Sequence, residues 1–158
     1  NVMIADIYED NLKKVVDRNP NVSVVDAGDV FAQEMDIYAP CALGATINDE
    51  SISRMKCRII AGAANNQLAN EEKHGQLLLE KGIVYAPDFL INAGRLINCY
   101  SELEGYNRER AMDQAEHIYD TTMTVLSKSE DEGKPMYQIA NQMAEERINK
   151  IAQIHRSL

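Results

Sequence analysis

Ile59-Ile60-Ala61-Gly62-Ala63-Ala64-Asn65-Asn66-Gln67 is a short apolar run that ends in small residues and then in side-chain amides. The pattern returns in Ile83-Val84-Tyr85-Ala86-Pro87-Asp88, followed by Ile91-Asn92-Ala93-Gly94. Apolar runs of this length, bounded by Gly, Ala and Pro, predict strands buried on both faces of a parallel sheet. Ligands of open parallel sheets lie beyond the carboxyl ends of the strands. Asn65, Asn66 and Asn92 all fall on that edge. An amide offers a donor and an acceptor without adding charge, which suits a carboxamide, a ribose or a carboxylate. Small neighbours let a flat ligand approach the backbone. Each asparagine read alone serves equally well to close a turn; three at successive strand ends favour a ligand edge.

Upstream, Val2-Met3-Ile4-Ala5-Asp6 is an apolar run that stops on a carboxylate. A helix with Leu12, Val15 and Val16 on one face ends at Asn19-Pro20. Residues 22–25 and 36–40 predict two more strands, the second running into the small-residue loop Cys41-Ala42-Leu43-Gly44. Asn48-Asp49-Glu50 opens a short helix carrying Ile52 and Met55, and a helix over 71–81 stops at Gly82 in a left-handed conformation. This alternation gives βα units and an α/β parallel sheet. Beyond it, residues 91–127 show only helical periodicity, with Ala111, Ala115, Ile118, Thr122 and Val125 on one stripe. Gly133-Lys134-Pro135 breaks that helix, and Pro135 suits the first turn of the next. Ile139, Met143, Ile148, Ile151 and Ile154 then make an amphipathic helix seeking a partner surface. No internal repeat is evident.

The 158 residues are a single-domain length, with 45% hydrophobic and 26% charged residues, as in soluble globular proteins. A formal charge of −9 argues against nucleic acid and against an anionic membrane, both of which need a basic patch. No apolar run reaches a bilayer-spanning length and no secretory signal pattern opens the chain, so a cytoplasmic protein is expected. Cys41, Cys57 and Cys99 are odd in number and lack metal-ligand spacing, and read as reduced, mostly buried thiols. His74, His117 and His155 sit on polar helical stretches and read as solvated or capping residues rather than general bases. Glu130-Asp131-Glu132 and Glu145-Glu146 read as solvated faces, and no metal site is expected.

Asp6 carries a further reading. A carboxylate at the end of a strand in a βα unit can accept bonds from the adenosine ribose hydroxyls and repel an added phosphate, which favours NAD over NADP. Asp also caps helices, and by position alone the two roles stand level.

Residues 36–44, 59–68 and 82–88 resemble the cofactor domain of the glutamate, leucine, phenylalanine and valine dehydrogenase group. Ile91-Asn92-Ala93-Gly94, Gly105-Tyr106-Asn107-Arg108-Glu109-Arg110-Ala111-Met112 and Met143-Ala144-Glu145-Glu146-Arg147-Ile148 continue the likeness along almost the whole chain. The Gly-Tyr-Asn-Arg-Glu-Arg run is most similar to leucine dehydrogenases. The resemblance implies a Rossmann-like parallel sheet lacking its first strand, followed by long C-terminal helices. Residues 1–128 would form a partial NAD-binding domain with a long helix. Residues 129–158 would form a helix that packs on a substrate domain lying outside these residues.

The implied activity is NAD-dependent oxidative deamination of a branched-chain, leucine-like L-amino acid to its 2-oxo acid and ammonia, with this chain as the cofactor-binding half. Carried over residue by residue, Asp6 would hold the adenosine ribose and Ile7 would also bind the cofactor, while Cys41, Ala42 and Leu43 would line the dinucleotide. Asn65 would contact the nicotinamide side and Asn92 its carboxamide. Asn66 would meet the substrate carboxylate, and Leu96 and Cys99 would line the substrate side-chain pocket. No catalytic residue is assigned, because the family's catalytic lysine and partner aspartate belong to the substrate domain. Arg95 stands where the family pattern has glycine, and is expected to impair or alter substrate binding. A sheet without its first strand splits into two halves with unpaired edges. A larger chain or a second polypeptide is therefore expected to supply the strand, within a homo-oligomer. The alternative is a non-catalytic Rossmann-like fragment that binds a nucleotide or a protein partner.

Overall fold

The computed structural model describes the backbone of residues 1–156 and the side chains of residues 1–154, so the reading of His155 lies outside the described side chains. Five short strands form two parallel sheets. One pairs β1 (Val2–Ile4) with β2 (Val22–Val24); the other runs β3 (Ile37–Tyr38), β4 (Ile59–Ile60), β5 (Val84–Tyr85) in spatial order. No pairing joins the two sheets among the described residues. This is the division that the sequence predicts.

Helices follow the strands in βα order: α1 (Glu9–Arg18), α2 (Asp49–Arg54) and α3 (Glu71–Glu80). Asparagine starts the last two. The Asn48 side chain accepts the Ser51 N–H while Ser51 Oγ accepts the Asn48 N–H, and Asn70 accepts the Lys73 N–H at 2.8 Å. Gly82 ends α3 at φ 69°, as the sequence predicts.

After the short α4 (Asp88–Ile91), the helical periodicity expected over 91–127 is divided between two helices, α5 (Gly94–Leu103) and α6 (Arg108–Glu132). Gly105 at φ 82° turns the chain, and Asn107 restarts it by accepting the Arg110 N–H at 3.0 Å. Gly133 at φ 62° closes α6, and Pro135 leads into α7 (Met136–Arg156). None of the helices is long and apolar enough to cross a membrane among the described residues.

Register decides where the core sits. Tyr38, Ile60 and Tyr85 align on one face of the three-stranded sheet. There Ile60 and Tyr85 join Ile47, Ile52, Met55, Cys57, Leu78 and Ile83 in a buried cluster beneath α2 and α3, against which Tyr38 packs. Ile37, Ile59 and Val84 align on the other face. Val84 meets a second cluster of Val125, Met136, Ile139 and Ala140 from α6 and α7, but Ile37 and Ile59 are exposed. Burial on both faces, expected from the apolar runs, therefore holds only at β5. The helices that cover the second face reach no further across it. The start of α7 is buried within this chain, while Ile148, Ile151 and Ile154 farther along it are exposed.

Candidate functional site

The loops after β3 and β4 are two copies of one shape. Ala45 (φ 57°) and Asn66 (φ 52°) are the non-glycine residues with left-handed backbone among the described residues, and each lies two residues before one member of the bridge pair Ile47–Leu68. Ala45 N–H donates to the Asn66 carbonyl at 2.7 Å, Ile47 N–H to Gln67 at 3.0 Å, and Ala69 N–H to Ile47 at 2.9 Å. The parallel ladder thus continues past the strand ends as a double loop. This local repeat escapes a sequence search because the two copies, Gly44-Ala45-Thr46-Ile47 and Asn65-Asn66-Gln67-Leu68, share shape rather than residues.

Two close approaches press the loops together, and a third residue braces the second loop from within. A Cβ on Gly62 would run into the Pro40 backbone, and one on Gly44 would lie 2.7 Å from the Asn65 carbonyl oxygen. Gln67, fully buried, donates from Nε2 to the carbonyls of Gly62 (2.7 Å) and Ala64 (2.8 Å). Its Oε1 has no partner.

On this frame the sequence-predicted residues are placed as follows. Asn65 follows β4 and Asn92 ends α4 after β5, and their side chains meet: Asn92 Nδ2 donates to Asn65 Oδ1 at 2.7 Å and to the Ala63 carbonyl at 3.3 Å. Asn66 has its backbone N–H bonded to Asp88 at 2.6 Å while its side chain is exposed. Cys41, Ala42 and Leu43 lie exposed on the loop after β3. Asp6 and Ile7 are exposed at the end of β1, on the other sheet. Leu96 and Cys99 share an exposed face of α5. Arg95, also exposed, makes no ion pair among the described residues.

Two readings are corrected. Cys41 and Cys99 are exposed because they sit on a strand-end loop and an outer helix face; Cys57 alone is buried, and burial pushes its thiol up. His74 is buried rather than solvated, because α3 turns it and Leu78 inward; its Nδ1 accepts the Asn70 N–H at 2.9 Å, the capping role. His117 is exposed as expected, and no group of residues suited to a metal ion appears among the described residues.

Asp6 is not the N-cap of α1, which is Tyr8. Its carboxylate accepts the Tyr8 N–H at 2.9 Å and Asn11 Nδ2 at 3.2 Å, and these donors hold it below the usual carboxylate range. An ionised, exposed carboxylate retains free lone pairs for vicinal hydroxyls.

Sequence reasoning missed Asp88, a buried acid. Its Oδ1 accepts the Tyr85 hydroxyl at 3.1 Å and its Oδ2 the Asn66 N–H at 2.6 Å. Burial first, and then the Asp88 charge, push the Tyr85 phenol far up. The same two causes raise Glu71, which lines a 240 Å³ cavity with Asp88, Tyr85 and Phe89. A carboxylate straight after Pro87 is the one signal that marks Asp88 in the sequence.

The donor set fits a nicotinamide dinucleotide. Asn92 spends its N–H groups within the protein, leaving its Oδ1 as an acceptor and Asn65 Nδ2 as a donor, the complement of one carboxamide. The neighbouring loop residues Ala42 and Ala63 are small and exposed, so a flat ring meets little steric opposition there.

Comparison with known proteins identifies the family. A family model described as glutamate/leucine/phenylalanine/valine dehydrogenase matches residues 3–156. The chain is 51% identical over 147 residues to leucine dehydrogenase of Thermoactinomyces intermedius, covering 93% of this chain and 40% of the relative. It is 48% identical over 151 residues to leucine dehydrogenase of Bacillus subtilis, covering 96% and 41%. Among solved structures, L-tryptophan dehydrogenase of Nostoc punctiforme superposes with a TM-score of 0.89 at 41% identity, over 94% of this chain and 44% of that one. The chain thus spans about two-fifths of the length of the curated relatives it matches.

Proposed function

The chain belongs to the glutamate/leucine/phenylalanine/valine dehydrogenase family, and from that membership we propose that it is the cofactor-binding part of an NAD-dependent L-amino-acid dehydrogenase acting on a branched-chain, leucine-like substrate. The Asn65–Asn92 amide pair carries this reading, because its mutual bond leaves one donor, Asn65 Nδ2, and one acceptor, Asn92 Oδ1, for a ligand. Bound at this edge, the cofactor supplies the hydride acceptor. The chain's own residues bind and orient. Asn65 and Asn92 hold the carboxamide, Cys41, Ala42 and Leu43 flank the dinucleotide, Asp6 holds the adenosine ribose and Ile7 also binds the cofactor. An ionised Asp6 also repels the additional phosphate of NADP.

Asn66 offers its free amide to the substrate carboxylate, and Leu96 with Cys99 forms an apolar wall for the substrate side chain. Arg95, next in the chain to Leu96, is the feature expected to shift substrate preference. The open edges of the two sheets and the exposed Ile37–Ile59 face fit a strand and substrate domain supplied from outside these 158 residues, within a homo-oligomer. The exposed end of α7 would pack on that domain.

NADH fluorescence titration of the intact protein tests the reading. Asn92→Ala and Asp6→Ala should each weaken NADH binding by about tenfold, the worth of one or two good hydrogen bonds. Unchanged affinity in both variants would overturn it.

A further inference from the structure

Asp88 lies outside the amide pair but bonds Asn66, the chain neighbour of Asn65, and the backbone of Asn92. Asp88 is only 8% exposed, and a buried carboxylate needs its oxygens bonded. Here both are: Oδ2 takes the Asn66 N–H at 2.6 Å and Oδ1 the Tyr85 hydroxyl at 3.1 Å. The 2.6 Å contact is short even for a charge-assisted bond. Asn66 sits at φ 52°, a left-handed conformation that few residues besides glycine and asparagine adopt readily. The Asp88 carboxylate accepts that residue's N–H on one side, and the Ala45 N–H donates to its carbonyl on the other.

The same residue acts again through its backbone. The Asp88 carbonyl accepts the Asn92 N–H at 2.9 Å, closing α4 where Asn92 begins. Asp88, Asn66, Asn65 and Asn92 therefore form a closed circuit: carboxylate to the Asn66 peptide, along the chain to Asn65, across the 2.7 Å amide bridge to Asn92, and back to the Asp88 carbonyl.

We infer that Asp88 is the positioning residue of the amide pair, fixing the separation of the loop after β4 and the end of α4 so that Asn65 and Asn92 present their free donor and acceptor as one unit. The consequence for ligand binding rests on the reading above, in which that pair holds the cofactor carboxamide. Tyr85 supports Asp88 from the core, its hydroxyl donating to Asp88 Oδ1.

The test compares Asp88→Ala, Asp88→Asn, Asn92→Ala and the Asp88→Ala/Asn92→Ala double variant of the intact protein. Two readouts are taken: the NADH dissociation constant, and the Asn92 side-chain amide resonances of the cofactor-free protein, assigned by their loss in Asn92→Ala. Asp88→Asn keeps the circuit, since its Oδ1 accepts the Asn66 N–H and its Nδ2 donates to the Tyr85 oxygen. It should leave the Asn92 amide signals in place and NADH affinity within about threefold of the parent. Asp88→Ala opens the circuit, so the Asn92 amide signals should collapse toward free-amide positions and NADH binding weaken about tenfold. The double variant should bind within about twofold of Asn92→Ala, because groups that act through one another are not additive.

Should Asp88→Ala fail to fold, Asp88→Ser, too short to span both partners, carries the same comparison. Unmoved Asn92 signals in folded Asp88→Ala would overturn the inference, as would a double variant in which the two losses simply add. Altered Asn92 signals in Asp88→Ala with NADH binding unaffected by Asn92→Ala would uphold Asp88 as the positioning residue and overturn only the carboxamide reading.

Discussion

The two sheets of this chain start from similar sequence and end in different surroundings. Val2-Met3-Ile4 and Val22-Ser23-Val24 pair in parallel as regularly as Ile59-Ile60 and Val84-Tyr85 do. Yet Ile60 is fully buried, whereas Val2 and Val24 are about half exposed. The difference lies in the third layer. α2 and α3 send Ile52, Met55 and Leu78 onto the β3–β5 sheet, but α1 contributes no buried residue to the β1–β2 pair. Parallel pairing follows from backbone hydrogen bonding and β-branched residues, whereas burial needs an element on top. A site built on the covered sheet is held more firmly than one on the bare pair. The Asn65–Asn92 bridge belongs to the first and Asp6 to the second.

The contrast is broken most directly by cutting each sheet at its centre. Ile60→Ala removes a fully buried side chain from a closed cluster and should destabilise the β3–β5 unit by about 3 kcal/mol. Val24→Ala removes a half-exposed one and should cost under about 1 kcal/mol. Native-state hydrogen exchange on the intact protein reads both losses locally, with the amides of β1 and β2 opening at lower free energy in the parent as well. Equal losses at the two positions would mean that the β1–β2 pair is covered in the intact protein.

A smaller effect sharpens the picture at the loops. Gly62→Ala drives a methyl group into the Pro40 backbone, where no flexible side chain can yield, and should cost about 1–3 kcal/mol. Gly94→Ala is the matched control: nothing lies within 4 Å of its added Cβ, and in a helix alanine gains up to about 1 kcal/mol over glycine. Thermal denaturation of the two variants should therefore move in opposite directions. A neutral Gly62→Ala would show that the double loop can spread without loss.

How far the fold could be read ahead follows the same divide between local and assembled features. Gly82, Asn48 and Pro135 announce themselves because a cap or a stop is a property of a few consecutive residues. The edge that carries Asn65, Asn66 and Asn92 is legible for the same reason, since strand ends carry their amides in sequence. The break at Gly105 is hidden within residues whose spacing is helical on both sides. His74 and the bare Ile37–Ile59 face are misread because burial depends on which helix packs where. Asp88 is invisible until β4 and β5 are side by side, for its partner Asn66 lies 22 residues away.

The weakest effect separates the two sheets by the physics of their exposed carboxylates. Asp6, beside the bare pair, and Asp49, at the start of α2, are both held below their ordinary value of 3.8. A depressed folded-state value means that each contributes stability above the unfolded pKa and loses it as pH falls through the folded value. The causes differ. Asp6 is lowered first by the uncharged Tyr8 N–H and then by the Asn11 amide, whereas Asp49 is lowered first by its bond to the Lys73 ammonium, 2.6 Å away. Salt screens charge–charge attraction between exposed groups and leaves a local amide bond nearly untouched. Titration followed by side-chain carboxyl resonances should therefore show the Asp49 midpoint rising toward 3.8 as salt is added, with Asp6 almost stationary. At low pH the first turn of α1 should loosen as Asp6 releases the Tyr8 N–H, and Asp6→Asn should remove that pH dependence. If Asp6 moved with salt as far as Asp49 does, a cation would have to face it across the β1–β2 edge, and the bare pair would not be bare in the intact protein.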